Sequence, residues 1–257
     1  MGTSGIAHLF DQYEKWRKDA RYDPYLDVFV ASRKEALLYQ RVIWSQQQTS
    51  DAETYANEIP DLSEGFFQYL KDHHKAASAD PGWYYISLQS YAYRCNEWND
   101  AWSLLEEGTE RFPNYYGLYF RAYEVGVMCG VDPIQLMDNV VDLAVNRTSG
   151  KHGDTMYARL KWLQTDFYGK ELMRSQVVDW GRMRQGIKDV LREYPDAWNT
   201  NHFAYFACVA EDYEFAATLM PDAMKLPVNS VWQDEVTLKM CRSRIEMSRF
   251  IKESSAR

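Results

Sequence analysis

Several common functional signatures are missing from this chain of 257 residues. No HExxH or paired Cys and His spacing suggests zinc, and GxGxxG, GxSxG and a complete phosphate-binding loop do not occur. Gly150-Lys151 lacks both the earlier glycine and the following Ser or Thr. No cofactor or metal is therefore expected. No run of 18 or more uncharged apolar residues is present, so no membrane span is expected. No charged, apolar, small-residue leader opens the chain, which makes the cytoplasm the expected compartment. Ile6 stands where N-myristoylation wants Ser or Thr. Basic charge is scarce: 29 Lys and Arg against 37 Asp and Glu give a net charge of −8, which disfavours direct nucleic-acid binding and is compatible with a basic protein partner. Cysteine is sparse too. Cys95, Cys129, Cys208 and Cys241 stand singly in apolar helical stretches without a CxxC pair, and are expected as buried free thiols.

Aromatic residues are abundant. The 19 Tyr, 11 Phe and 9 Trp supply enough apolar area for a core, an interface or both. Their periodicity is helical: Ile6, Leu9, Phe10, Tyr13 and Trp16 recur every three or four residues, and sustained alternation of the strand kind is missing. A helix is predicted from Asp23-Pro24 to about Gln47, then one or two helices broken near Pro60, with a boundary at Asp80-Pro81-Gly82. The segment Pro81 to Leu105 returns about 115 positions later as Pro195 to Met220, pairing Trp83 with Trp198, Ala92 with Ala207, Trp98 with Tyr213 and Ala101 with Ala216. Each copy reads as two amphipathic helices around a polar turn, close to a tetratricopeptide-like hairpin of about 34 residues. Gln89 departs from that pattern at a position that favours Gly. Asn146 to Asp154 is predicted as a loop, because turn formers crowd it. The expected fold is all-α and solenoid-like, with an N-terminal helical layer at 1–79 and a repeat region at 80–257, continuous with each other.

The residues Met156 to Trp162, followed by Trp180, Met183 and Gly186 and by Tyr194-Pro195-Asp196-Ala197-Trp198-Asn199, Asn201, Phe203-Ala204 and Phe206-Ala207-Cys208, form two ordered motifs. This pattern resembles a bacterial domain-of-unknown-function family with tetratricopeptide-like hairpins, over roughly residues 80 to 225. The resemblance implies a non-enzymatic role, similar to that of some immunity partners of interbacterial toxins. Read from the residues alone, Trp162, Trp180, Trp198, Phe203 and Phe206 are expected in the core, and Asn199 and Asn201 as helix caps.

Chemistry is harder to place. His73 and His74 are neighbours and point about 100° apart on a helix, so a solvated helix end is expected in preference to a metal site. An enzyme would have to assemble its site around His152, His202 or Arg159. Acidic residues gather at the two matching turns, giving Tyr93, Glu97, Asp100, Glu211, Asp212 and Tyr213 as candidate contacts for a protein partner such as a basic toxin domain, or a merely solvated surface. A scaffold binding extended peptides would instead use the groove formed by the first helices of the hairpins.

Overall fold

The computed structural model describes residues 24–232 and 235–255, and all of its secondary structure is helical. The predicted N-terminal stripe from Ile6 to Trp16 and the Asp23 start signal lie outside those residues. The chain divides into two compact units, the first ending at Pro133 and the second starting at Ile134.

In the first unit, α1 (Pro24–Ser45), α2 (Ala52–Ala77), α3 (Pro81–Ser90), α4 (Trp98–Arg111) and α5 (Gly117–Met128) follow one another, with two short 3-10 turns between α3 and α4. Helix α2 continues through Pro60 where a break was expected. Its packing along α1 holds the helix despite the missing backbone donor. Asp80 starts α3 by accepting from the Gly82 amide at 2.7 Å, with Pro81 in the first turn. Helix α3 packs on α1, α2, α4 and α5. Its Trp83 is buried with Phe66, Leu70, Leu38, Ala31 and Ala77 in one apolar cluster.

The second unit contains most of α6 (Pro133–His152), then α7 (Thr155–Tyr168), a 3-10 turn at Lys170–Arg174, α8 (Trp180–Glu193), α9 (Ala197–Val209), α10 (Tyr213–Ala223), the single turn α11 (Asn229–Trp232) and α12 (Glu235–Ser255). Helices α7 and α8 form one hairpin and α9 and α10 another, and α12 packs on α10 and α11. The caps are legible as Asp side chains: Asp179 accepts from Arg182 N at 3.0 Å, Asp196 from Asn199 N at 2.9 Å and Asp212 from Phe215 N at 2.9 Å. Gly186 lets α8 approach α7. A Cβ there would sit 2.8 Å from the Ala158 Cβ and closer still to the Asp154 carbonyl oxygen.

Three further expectations are corrected. The loop predicted at Asn146 to Asp154 is helical as far as His152, and only Gly153 and Asp154 form the turn. Thr148 is buried and returns its hydroxyl to the Ala144 carbonyl at 2.7 Å, so burial of one face overrides the turn-forming composition. Gly153, at φ +58°, makes the turn beneath the buried Asp189 carboxylate, which accepts from the Asp154 amide at 3.1 Å.

The cysteines are not free. Cys95 is bonded to Cys129 and Cys208 to Cys241, with Cα separations of 4.9 Å and 5.7 Å. Each bridge ties the end of the first helix of a hairpin, or the turn just after it, to a later element, the cap at the end of α5 in one unit and α12 in the other. The thiols are 34 and 33 residues apart, so only helix packing brings them together.

The third correction concerns the two copies. Trp83 is fully buried, whereas Trp198 is 52% exposed and no core residue. The capping residues are Asp80 and Asp196, so Trp83 is the third helical residue of α3 and Trp198 only the second of α9. One position on a helix is a rotation of about 100°, enough to exchange core for solvent. The later match survives: Ala101 and Ala216 are both buried where their helices meet a neighbour.

Candidate protein-binding face

The six predicted contacts fall into two sets, one in each unit. In the first unit, Glu97 accepts from Arg94 at 3.1 Å, and Arg94 also pairs with Glu64 and lies 4.0 Å over the Phe67 ring. Glu97 is thus partly occupied by structure, while Asp100 is exposed in the first turn of α4. Both carboxylates lie close enough to Tyr91 to help hold its phenol up at about 12, burial being the larger cause. In the second unit, Asp212 caps α10 and also accepts from Trp180 Nε1 at 3.0 Å and from Arg184 at 3.4 Å, which makes it a structural hub. Glu211 is exposed with φ 60°, and Tyr213 is half-buried at the start of α10.

Tyr93 belongs to a different arrangement. On α3 and the turn after it, Tyr85, Gln89 and Tyr93 succeed one another at spacings of four, along a single face. Arg121 of α5 reaches this stripe, donating to Gln89 Oε1 at 2.6 Å and to the Tyr85 hydroxyl, with its guanidinium 4.3 Å from the centre of the Tyr85 ring. Glu124 pairs with the same arginine at 3.1 Å. On the other side α1 contributes Glu35 and Tyr39. Burial raises the Glu35 carboxyl and the nearby Arg121 charge lowers it, while burial with Glu35 and Tyr39 beside it pushes the Tyr93 phenol up to about 12. Tyr115 extends the stripe, its phenol raised by burial and by the proximity of Tyr85, Asp80 and Tyr25. The result is a run of tyrosines over α1, α3, the turn after α3 and the turn before α5, with Tyr25, Tyr39 and Tyr115 exposed and Tyr85 and Tyr93 half-buried. Only Tyr93 was singled out from the sequence. The spacing of Tyr85, Gln89 and Tyr93 was a signal for Tyr85, and no local pattern marked Tyr25, Tyr39 or Tyr115.

The four histidines among the described residues are all engaged. His73, expected at a solvated helix end, is buried, stacked 4.0 Å from the Tyr69 ring and bonded to the Tyr69 carbonyl at 2.8 Å. His74 meets Glu107 at 3.3 Å and accepts from Trp83 Nε1 at 3.4 Å. His152 contacts Glu193 at 3.2 Å. His202 donates from Nδ1 to the Trp198 carbonyl at 3.0 Å, and burial lowers it to about 4, so its ring is neutral at pH 7. It lies between Trp162 and Trp198, 4.4 Å from each ring centre. Phe203 and Phe206 are buried as expected, and Trp162 and Trp180 are half-buried.

Asp196 rather than an asparagine caps α9, with Asn199 and Asn201 inside the helix, and Asn201 has a larger role. Fully buried, it donates to the carbonyls of Ala197, Leu226 and Ala223 at 2.7, 3.0 and 3.3 Å and accepts from Val228 N at 3.1 Å and Trp232 Nε1 at 2.8 Å. That amide fixes the chain leaving α10 onto α9 and saturates the indole of α11. Among the described residues, no group of three His, Cys, Asp or Glu side chains is placed to hold a metal ion, and no helix is long and apolar enough to cross a membrane. Compared with protein-family models, with curated proteins and with solved structures, the chain gives no match.

Proposed function

We propose that this chain is a non-catalytic, tetratricopeptide-like protein-binding module that engages its partner through the tyrosine stripe on α1, α3 and α5. The observation that carries the reading is that stripe itself, with Arg121 bonded to its Tyr85 and Gln89. Tyrosine and arginine dominate interface energetics because each buries a large area while keeping a polar edge for hydrogen bonds. The repeat-like arrangement is supported by the order of packing, with α1, α3 and α5 as successive neighbours, α2 against α1 and α3, and α4 against α3 and α5. Disulfide spacings of 34 and 33 residues, about one tetratricopeptide repeat, support it as well.

The sharper form of the proposal is an immunity protein that neutralises a cognate toxin domain by covering its active site. Its support is electrostatic: a net charge of −8, with exposed Asp100 and Glu211, complements a basic domain and speeds encounter. The scaffold reading, in which extended peptides lie along the first helices, draws on the same stripe. A cytoplasmic location is part of the immunity reading, and the cytosol holds most thiols reduced, so the two cystines are what that location has to accommodate.

The test starts from a partner co-purified with the protein from its host and identified. Replacing the exposed Tyr39 and Tyr115 by Ala should weaken its binding by about tenfold or more. Glu97→Lys with Asp100→Lys should slow association and flatten its salt dependence. Unchanged affinity in both variants would overturn the proposal. A folded partner that kills cells when expressed alone selects the immunity form, and binding of many extended peptides selects the scaffold.

A further inference from the structure

Arginine in this molecule is normally paired. Among the described residues six arginines are buried or half-buried: Arg41, Arg94, Arg121, Arg159, Arg182 and Arg184. Five meet a carboxylate, namely Glu58, Glu64 with Glu97, Glu124, Asp154 and Asp212 in turn. Arg159 of α7 meets none among the described residues, although the chain carries an excess of acidic groups. Its guanidinium rests 5.0 Å from the centre of the Tyr194 ring, and its Nε is buried without a hydrogen-bond acceptor. The acidic residues flanking Tyr194 are committed elsewhere, Glu193 to His152 and Asp196 to the amide and side chain of Asn199.

The surroundings are aromatic. Trp162, one turn along α7 from Arg159, packs on His202, which packs in turn on Trp198. Tyr194 and Trp198 are both exposed. A stacked guanidinium keeps its N–H edges free in the plane, and two of them match the two oxygens of a carboxylate. A phosphate dianion would call for more than one cation, and the neighbouring Glu193 and Asp196 would repel it about twice as strongly as they would a carboxylate.

From this we infer that Arg159, with Tyr194 and Trp198, is a binding site for a single carboxylate of a protein partner, carried next to an aromatic or apolar residue that lies on the exposed rings. The carboxylate belongs either to an Asp or Glu side chain or to a chain terminus, and both supply the same planar anion. The inference rests on the protein-binding reading only in placing that carboxylate on a protein.

The test is an NMR titration of the nitrogen-labelled protein, following the Arg159 Nε and Trp198 indole signals, with three blocked dipeptides and with inorganic phosphate. Acetyl-Glu-Phe-amide carries a side-chain carboxylate, acetyl-Gly-Phe with a free terminus carries a terminal one, and acetyl-Gln-Phe-amide carries neither. Saturable shifts with at least one of the acidic peptides and none with the glutamine peptide are expected, and the stronger of the two acidic peptides identifies the source. Arg159→Met, which keeps the stem and removes the charge, should weaken that binding by about tenfold or more. Trp198→Ala, at an exposed position, gives a second variant expected to weaken it independently of any effect of Arg159→Met on folding. Equal response to the glutamine peptide, tighter binding of phosphate, or full affinity in both variants would overturn the inference. Because the readout is local to Arg159, its failure leaves the tyrosine stripe of the first unit to its own test.

Discussion

At the scale of single residues, the second unit depends on groups whose burial changes their chemistry. His202 is nearly enclosed by Trp162, Trp198 and Phe206, and its Nδ1 proton is spent on the Trp198 carbonyl. Its folded value of about 4 lies below the ordinary 6.5. Well above pH 6.5 both the folded and unfolded chains hold it neutral, and its contribution to stability is complete. As pH falls from there toward 4, the unfolded chain takes up a proton that the folded chain refuses, and that stability is lost. Between pH 7 and pH 5 the loss assigned to this side chain is about 2 kcal/mol. Urea unfolding of the wild type and of His202→Phe at both pH values should show the difference, with the variant's pH dependence flatter by that amount. Equal slopes would mean that the imidazole is open to solvent in solution. Nothing in the local sequence marks this histidine, since its environment is built by α7 as well as α9.

At the scale of elements, close approach is decided by small residues. Alanine outranks glycine in an exposed helix interior by about 1 kcal/mol, so Gly186→Ala would stabilise α8 if its surface were free. Here the added methyl meets the Asp154 carbonyl and the Ala158 Cβ across the hairpin, and the backbone oxygen cannot swing aside as a side-chain tip would. A loss of about 1–3 kcal/mol in chemical denaturation is therefore expected. A gain would show that α7 and α8 do not pack as described. The sequence marks Gly186 only as a member of a motif. Helix starts were more legible, because an Asp cap acts on amides two or three residues away, and Asp80, Asp196 and Asp212 do so. Register was less so. Pairing Trp83 with Trp198 sets the two copies 115 residues apart, but their caps Asp80 and Asp196 are 116 apart, and that single-residue difference puts Trp83 inside and Trp198 outside.

For the whole molecule the cystines matter most. Each closes a loop of 34 or 33 residues, for which restriction of the unfolded chain is worth about 3–4 kcal/mol. Protein prepared without reductant and then denatured should show no titratable thiol, and reduction should shift unfolding to lower denaturant. Four titratable thiols per chain in protein taken directly from its host would show that the cystines do not form there, and would fit a reducing cytosol.

What the sequence determined by itself is local. Apolar spacing of three and four forces helices, aspartates before those stripes start them, and Gly153 supplies the positive φ of a turn, because each effect acts within a few residues. The tertiary structure decided what depends on distant neighbours. It alone joined cysteines 34 and 33 residues apart, kept residues 146–152 helical by burying one side of α6, set Arg121 against Tyr85 and Gln89, and left Arg159 without a carboxylate among the described residues. Pairing, burial and charge compensation are properties of space shared between helices, and no spacing along the chain encodes which helices will share it.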